Sequence, residues 1–322
     1  MKHRVLKAVL ALSLILTMGA NAQTLEYPSK PIRLVVAFSA GGIADSVARL
    51  VGTKLSIKLG QPVIVENRGG AGGNIGAKVV SAAEPDGYTF LVTTAAFAVN
   101  PSLYKNPGYK ISEFIPVALT ASTPNLFAVP TTNPANTLQD LAKNYKGKQL
   151  TYSTAGIGSS SHLTAQYVFK NLMGIDALHV PYQGGAPAIT AAVAGHVDIT
   201  SASMPAVLSN ISGGRLKGIA VASLRRVDAL PNTSTISESG VGEYEDRSWV
   251  GVFAPARTSA EVVRRINAEI NEIIKQPDTR EKLVSVGFEP ATGSPREFTD
   301  YIRKETAKWA LIVNATKITV ND

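Results

Sequence analysis

A run of three serines beside a histidine is the first candidate for chemistry in this sequence. Ser159, Ser160 and Ser161 directly precede His162, and a serine next to a histidine can act as a nucleophile beside its general base. Such a pair needs a third group that orients the base, and neighbours at the start of one helix lack it. We therefore interpret the serines as helix caps and expect no catalytic residues.

A glycine-rich turn is the second candidate. Gly70, Gly72 and Gly76 form G-x-G-x-x-x-G between a predicted strand and a predicted helix. This pattern is one residue longer than the fingerprint that binds a dinucleotide pyrophosphate. The next strand runs into Thr94 without the acidic residue that would hold a ribose. We expect no nucleotide and no other cofactor.

Metal ligands are also sparse. His162, His179 and His196 lie in different predicted elements, and the sequence has no cysteine and no H-E-x-x-H or P-loop motif. Neither a metal site nor a disulfide is expected.

Three strand-to-helix junctions share one design. Small residues end a strand and open a helix in "VAFSAGGIADSVARL", "TYSTAGIGSSSHLTAQYV" and "VPYQGGAPAITAAV". Glycine or alanine lets a ligand approach the backbone, and the free N–H groups and positive dipole end of a helix attract an anion. Ligands of open α/β sheets bind at such carboxyl ends of strands. Together the junctions predict a cleft for a small anion.

The elements that must position these junctions alternate between strand and helix along the chain. Short runs rich in Val, Ile and Phe separate helical patterns, which predicts an α/β fold with largely parallel sheets. Two extended passages, 120–130 and 244–255, suggest two crossings between two lobes. We predict lobe 1 over residues 25–124 plus 247–322, and lobe 2 over residues 125–246.

Two capping-box patterns start helices in the C-terminal part. They are Thr258–Glu261 and Ser294–Glu297, the second with Pro295 at the first helical position. We expect these helices to return to lobe 1.

The N-terminus has the features of a secretory signal. Lys2, Arg4 and Lys7 precede the apolar run "AVLALSLILTMGA", and Ala20-Asn21-Ala22 matches an A-x-A cleavage site. The prediction is a signal peptide over residues 1–22 and a periplasmic mature protein.

The net charge of the chain and its distribution indicate which classes of binding partner to expect. The 322-residue chain has a net charge of +8, of which +5 remains without residues 1–22. This charge favours encounter with small anions. The basic residues are scattered, and few aromatics lie among them, so we expect no nucleic-acid partner.

Longer motifs resemble a known family. They include "YPSKPIRLVVAFSAGGIADSVAR", "GQPVIVENRGGAGGNIGAKVVSAAEPDGYTFLV", "NPSLYK", "YSTAGIGSSSHL", "VPYQGGAPAI", "GHVDI" and "SWVGVFAP". In this order they resemble the Bug-type solute receptors of tripartite tricarboxylate transporters. The resemblance covers essentially the whole mature chain. It implies a monomeric, two-lobed periplasmic binding protein of the type II Venus-flytrap kind, which closes on a small organic anion, commonly a carboxylate, and delivers it to membrane permease subunits.

The resemblance also implies where the ligand binds. The glycine-rich stretch after Asn67 would be a structural feature of the first lobe, and the other junctions would contact the ligand. The first-lobe loop contributes Phe38, Ser39, Ala40, Gly41, Ile43, Ala44 and Asp45. A wall after the third strand contains Thr94, Ala95, Ala96 and Phe97. The second lobe contributes Ala155, Gly158, Ser159, Ser160, His162, Tyr182, Gly184, Gly185 and Ala186.

Two features of the first loop stand out. Asp45 would repel a bare carboxylate, so it either caps the helix, holds a bridging water or accepts from a ligand donor. Ala37 stands where the family more often has proline, and Ala44 lacks the usual hydroxyl beside the bulky Ile43. With Phe97 on the wall, this loop predicts a ligand with an apolar or aromatic body.

Two other functions stay open at this point. One is a periplasmic enzyme acting on a carboxylated substrate, which the missing catalytic groups disfavour. The other is a ligand sensor for a membrane kinase, because the residues that bind a ligand do not show which membrane protein receives it.

Overall fold

The computed structural model describes residues 27–316 and residue 318. The predicted signal peptide, residues 1–22, lies outside the described residues. The strands are β1 (Ile32–Val36), β2 (Val63–Asn67), β3 (Thr89–Thr94), β4 (Phe114–Pro130), β5 (Leu150–Thr154), β6 (Ala177–Pro181), β7 (Ile199–Ser203), β8 (Leu216–Val221), β9 (Arg247–Pro255) and β10 (Glu289–Pro290).

Helices alternate with these strands over most of the chain. They are α1 (Ile43–Leu59), α2 (Asn74–Ser81), α3 (Ala96–Leu103), α4 (Leu138–Asn144), α5 (Ser160–Gln166), α6 (Gly185–Val193), α7 (Met204–Ser212), α8 (Ala260–Lys275), α9 (Pro277–Ser285) and α10 (Pro295–Thr316). A π-helical segment, Tyr167–Leu172, continues α5. The sequence thus has the α/β alternation expected from its strand and helix patterns.

The first lobe is built on the sheet order β2-β1-β3-β9-β4, with β10 beside β4. Strand β1 pairs parallel with β2 and β3, whereas β9 is antiparallel to both β3 and β4. Helix α8 buries one apolar stripe on this sheet, including Val263, Ile266 and Ile270. Spacings of three and four residues place these side chains on one face of the helix.

The second lobe is built on the end of β4, which lies between β7 and β8, and on β5 and β6 beyond β7. Strand β5 is parallel to β6 and β7, and β4 is antiparallel to β7 and β8. Both sheets are therefore mixed and not largely parallel as predicted. The antiparallel pairs involve β4 and β9, because a strand that crosses between lobes enters the sheet from the opposite end.

Strand β4 is shared by the two sheets. Its part from Phe114 to Pro124 pairs with β9, and its part from Asn125 to Pro130 pairs with β7 and β8. Pro124 is opposite Arg247, the first residue of β9. The two chain crossings therefore lie side by side at the boundary between the sheets.

The C-terminal helix packs on the first lobe. Phe298 and Trp309 of α10 are buried in the same core as Trp249 of β9. The buried carboxylate of Glu305 accepts hydrogen bonds from Trp249 Nε1 at 3.3 Å and Trp309 Nε1 at 3.1 Å. These bonds satisfy both indole donors beside the second crossing.

One of the two predicted capping boxes is present. The N-cap of α8 is Ser259, one residue after the predicted Thr258, and its Oγ accepts from Val262 N. The Thr258 hydroxyl instead donates to the Pro255 carbonyl at 2.8 Å. Before α10, the Ser294 N–H donates to Glu297 Oε2 at 2.7 Å, and Glu297 N donates to Ser294 Oγ at 3.2 Å. Reciprocal bonds of this kind satisfy two otherwise free helix N–H groups.

Candidate functional site

Four helices begin at one cavity between the lobes. Helix α1 approaches it from the first lobe, and α5, α6 and α7 approach it from the second. Residues at these four starts line the cavity: Gly42, Ile43, Ser159, Ser160, Gly185 and Ser203. The remaining lining residues are Phe38, Ala44, Thr94, Asn125, Ala155, Ser161, Ala202, Ala206 and Ser248.

The cavity has an uncharged, hydroxyl-rich lining. None of the described residues around it carries a formal charge, and Ile43, Ser159 and Ser160 are at most 9% exposed. The positive ends of the helix dipoles therefore set the potential inside. Because water is largely excluded, these dipoles act more strongly than they would at an open surface.

Three of the helix starts have amides that their own N-cap side chains do not cover. Gly42 and Gly184 precede α1 and α6, and glycine has no side chain that could cap. The Ser203 hydroxyl makes no capping bond to α7 within the described structure. Free N–H groups at helix starts are suited to bind a carboxylate.

Ser159 caps α5, as the sequence predicts. Its Oγ accepts from His162 N at 3.2 Å and donates to the Gly156 carbonyl at 2.7 Å. Ser161 Oγ lies 3.0 Å from the same hydroxyl. Ser159 thus orders the start of the helix and lines the cavity at the same time.

His162 lies behind the cavity and is not one of its lining residues. Its ring stacks on His179 with centroids 4.1 Å apart, and its Nδ1 accepts from Gly158 N at 3.3 Å. Burial, and then the neighbouring His179, lowers the pKa of His162 to about 3; burial lowers the pKa of His179 to about 4. Both rings are neutral near pH 7, so neither is a cationic partner for a carboxylate.

Asp45 points away from the cavity lining. Its Oδ2 accepts from Gly41 N at 2.9 Å and from Arg49 Nε at 3.0 Å, while its Oδ1 accepts from Asn67 Nδ2 at 2.9 Å. Burial alone would raise the pKa of Asp45, but these hydrogen bonds outweigh it and leave the pKa below its ordinary value. These contacts satisfy the amide of Gly41, which precedes the Gly42 N-cap, but α1 has no side-chain capping bond within the described residues. The predicted roles of Asp45 toward a water or a ligand donor stay predictions.

Phe97 is placed in the first-lobe core and not on the cavity wall. Its ring lies 4.4 Å from Phe253, 5.1 Å from Phe114 and 5.3 Å from Tyr109, between centroids. Helix α3 begins one residue earlier and turns this side chain into the core. Ala95 and Ala96 are fully buried beside it and are not lining residues, so of this segment Thr94 lines the cavity.

Other predicted residues lie where the lobes touch beside the cavity. Ser39 N donates to the Gln183 carbonyl at 3.4 Å, and Gly184 lies against Ser39. Gly41 approaches Ala186 closely enough that an added Cβ would lie 3.5 Å from the Ala186 Cβ. Ala40 is exposed next to Gly41 at the outer side of this loop.

The glycine-rich turn contacts the second lobe. Together with Tyr182, residues 70–73 border a groove that adjoins the cavity. A Cβ on Gly72 would overlap the Ile157 carbonyl, and a Cβ on Gly158 would overlap Asn100 Oδ1 of α3. We call this contact, formed by Gly72 and Asn100 against Ile157 and Gly158, the glycine latch. It requires residues without side chains on both sides.

The sequence motifs do not predict that the two crossings and α7 contribute to the cavity. Asn125 and Ser248 come from the two crossings, where no turn or helix signal marks them. Ser203 is the last residue of β7 and the N-cap of α7, and Pro205 follows it within two residues. This is the same strand-to-helix pattern as at the three predicted junctions. That signal in "VDITSASMPAV" could have identified a fourth helix start.

Asn125 connects the cavity to a buried acid. Its Nδ2 donates to Ser160 Oγ at 3.1 Å and to Asp246 Oδ2 at 2.7 Å. Thr164 Oγ1 of α5 donates to the same Asp246 oxygen at 2.8 Å. We call these four residues the hinge network, because Asn125 and Asp246 belong to the two crossings.

Burial has the largest effect on the pKa of Asp246. Loss of hydration raises the pKa of this fully buried carboxyl from 3.8 to about 6. Lys308 lowers the pKa and Glu305 raises it, both by smaller amounts, and the hydrogen bonds from Thr164 and Asn125 lower it. Asp246 therefore titrates just below neutral pH.

No metal site or membrane segment is found in the part of the chain that the structure describes. No group of three or more His, Asp or Glu side chains there could hold a metal ion. In residues 27–316, no helix has the length and apolar character needed to cross a bilayer.

Comparison with solved structures identifies the fold. A periplasmic binding protein named BugD is 34% identical, with a TM-score of 0.87 over 91% of this chain and 99% of its own. A Rhodopseudomonas palustris protein solved with adipate is 32% identical, with a TM-score of 0.88 over 91% of this chain and 99% of its own. MatC of the same species, solved with bound malate, is 29% identical, with a TM-score of 0.84 over 89% of this chain and 100% of its own.

These relatives confirm the predicted α/β fold of two-lobed periplasmic binding proteins. The family model described as the tripartite tricarboxylate transporter family receptor matches residues 47–318. The chain therefore belongs to the tripartite tricarboxylate transporter receptor family, the Bug-type solute-binding proteins.

Proposed function

We propose that the protein is a periplasmic receptor that binds a small organic carboxylate between its lobes and hands it to the permease of a tripartite tricarboxylate transporter. Residues 1–22 serve as the signal that directs it to the periplasm. The receptor works as a monomer, without a metal or cofactor.

The observation that carries the proposal is the convergence of four helix starts on one buried, uncharged cavity. Helices α1, α6 and α7 present backbone N–H groups, and Ser159 and Ser160 add hydroxyls. Such donors match the two oxygens of a carboxylate. A cation would face the same positive dipole ends and would be repelled.

The rest of the lining favours a compact organic body. Phe38, Ile43 and Ala44 line the first-lobe side, and Ala155, Ala202 and Ala206 line the second-lobe side. These side chains can cover a short carbon skeleton while the polar end meets the helix starts. Because Phe97 lies in the core, Phe38 is the aromatic side chain of the lining, and a short aliphatic acid fits this cavity better than an aromatic one.

Ligands in solved relatives support a carboxylate. Their structures contain adipate and malate, which are both dicarboxylates. Transfer to a permease is supported by membership of the receptor family. A receptor delivers its ligand chemically unchanged, and the use of Ser159 as a helix cap and the neutral stack of His162 and His179 agree with this role.

Thermal unfolding with a panel of short mono- and dicarboxylates tests the proposal. A ligand bound only by the folded protein adds RT ln(1 + [L]/Kd) to the free energy of unfolding. At a ligand concentration of about 100 Kd this is about 2.7 kcal/mol, which raises Tm measurably. At least one carboxylate should do so, and mass spectrometry after overnight incubation should recover it unchanged. A chemically similar panel of amines is the control, and stabilisation by amines alone would contradict the proposal.

A further inference from the structure

The Asn125 carbonyl oxygen is a buried acceptor at the cavity. The residue is 1% exposed, and its Oδ1 has no hydrogen-bond partner among the described residues. Its Nδ2 is already used by Ser160 and Asp246. Since Asn125 lines the cavity, Oδ1 is the atom of its amide that has no partner beside the cavity in the described part of the chain. A buried acceptor without a partner is costly, so a ligand group that satisfies it gains affinity.

The hinge network determines which atom of the Asn125 side-chain amide has no hydrogen-bond partner among the residues that the structure describes. An ionised carboxylate only accepts hydrogen bonds, so Asp246 holds Nδ2 and not Oδ1. The Asp246 N–H donates to the Ala222 carbonyl at 3.1 Å and anchors this part of the crossing. Asp246 Oδ1 has no partner in the described structure, so a proton taken up there leaves the bond from Asn125 in place.

The cavity therefore contains two kinds of polar group with different partners. Helix amides and serine hydroxyls donate to a carboxylate. A carbonyl oxygen would repel a carboxylate and instead needs an O–H or N–H donor on the ligand.

We propose that Asn125 is a specificity-determining residue, whose Oδ1 accepts a hydrogen bond from a hydroxyl group of the ligand, so that hydroxycarboxylates are the preferred substrate class. This inference rests on the proposed function, because it assumes that the ligand carboxylate lies on the helix starts. The proposed role of Asn125 concerns the ligand hydroxyl, whereas the proposed function concerns the ligand carboxylate.

Matched acids measure the effect directly. Calorimetry on the wild-type protein compares malate with succinate, lactate with propionate, and 3-hydroxybutyrate with butyrate. In the pairs that bind, we expect the hydroxylated acid to bind at least about tenfold more tightly, because its deoxy partner leaves the buried acceptor unsatisfied. This comparison needs no variant and does not depend on how any variant folds.

Asn125→Leu tests the residue itself. Leucine is close to asparagine in size and has no acceptor, so the ratio of affinities within each pair should fall to below about twofold. Asn144→Leu makes the same change at the exposed end of α4 and should keep the wild-type ratio. Circular dichroism confirms that each variant is folded before its affinities are used.

The possible failures can be told apart. If wild-type protein binds hydroxylated and deoxy acids equally, or binds only deoxy acids such as adipate, the role of Asn125 is overturned while the carboxylate receptor stands. A ratio that persists in folded Asn125→Leu also overturns it. If none of these acids and no other carboxylate binds, the proposed function itself fails.

Discussion

Asn125 Nδ2 donates to Asp246 Oδ2 over 2.7 Å and so joins the two chain crossings beside the cavity between the lobes. Thr164 of α5 donates to the same oxygen, so one buried carboxylate contacts both crossings and a helix that starts at the cavity. A network of this kind holds one arrangement of its members, since an unsatisfied buried group would be costly.

Asp246→Asn should change how stability depends on pH. The folded-state pKa of about 6 lies above the ordinary 3.8, so the buried charge costs stability at pH values above 6. This cost disappears as the pH falls from 6 towards 3.8, because the folded protein takes up the proton first. Asparagine carries no charge at any of these pH values.

The stability of Asp246→Asn relative to wild type should therefore decrease by about 2 kcal/mol between pH 8 and pH 4. Urea unfolding at several pH values gives both free energies. A difference that is constant with pH would show that Asp246 does not titrate in this window.

Gly185→Val should abolish most carboxylate binding and leave the fold intact. A Cβ at this position would already lie 3.4 Å from the Ala206 Cβ, so the branched side chain must extend into the cavity over the first amides of α6. We expect affinity to fall at least about tenfold, because a closely packed site cannot absorb the added volume. Calorimetry measures the affinity, and Thr190→Val on the exposed side of the same helix is the control. Wild-type affinity in Gly185→Val would contradict the proposed carboxylate position.

Ala44→Ser should shift ligand preference and keep anion binding. Ala44 lines the cavity within α1, and a hydroxyl there offers one new hydrogen bond to the ligand. Such a bond is worth about 0.5–1.5 kcal/mol net, so the affinity for succinate relative to butyrate should rise several-fold. Competition binding with these two acids measures the ratio, and an unchanged ratio would mean that the new hydroxyl does not reach the ligand.

Gly158→Ala should weaken ligand binding through the glycine latch. Gly158 has φ +82°, and an added Cβ would overlap Asn100 Oδ1 across the lobe boundary. The two lobes must move apart slightly to make room, so the affinity for the carboxylate should fall.

The control for Gly158→Ala is Gly147→Ala, which has a similar φ of +72° and no atom within 4 Å of the added Cβ. It shows the cost of backbone strain alone. Calorimetry with the same carboxylic acid measures the ligand affinity of both variants. Equal affinities would show that the glycine latch does not influence closure.

Local signals account for most of what the sequence predicts well. Helix starts such as Ser159 and Ser294 depend on neighbouring residues, and their caps are present in the structure. The three predicted strand-to-helix junctions beside the cavity likewise depend on small residues that are neighbours in the sequence. Predictions of this kind need no knowledge of how distant segments pack.

Features that depend on distant segments were missed or misplaced. Asn125 and Asp246 are 121 positions apart, and neither has a sequence pattern that predicts their bond. Phe97 follows a predicted strand end but packs on Phe253, far along the chain. The antiparallel placement of β9 likewise results from the path of the chain between lobes, which strand propensity does not reveal.

The uncharged lining also affects the receptor when no ligand is bound. An arginine or lysine in the cavity would leave an unpaired buried charge whenever the lobes closed on an empty site, and such a charge is costly. Helix dipoles and hydroxyls impose a smaller electrostatic cost because small numbers of water molecules can satisfy them. The empty cavity can therefore stay enclosed between the lobes at little electrostatic cost, so an unoccupied site takes little away from the stability of the folded protein.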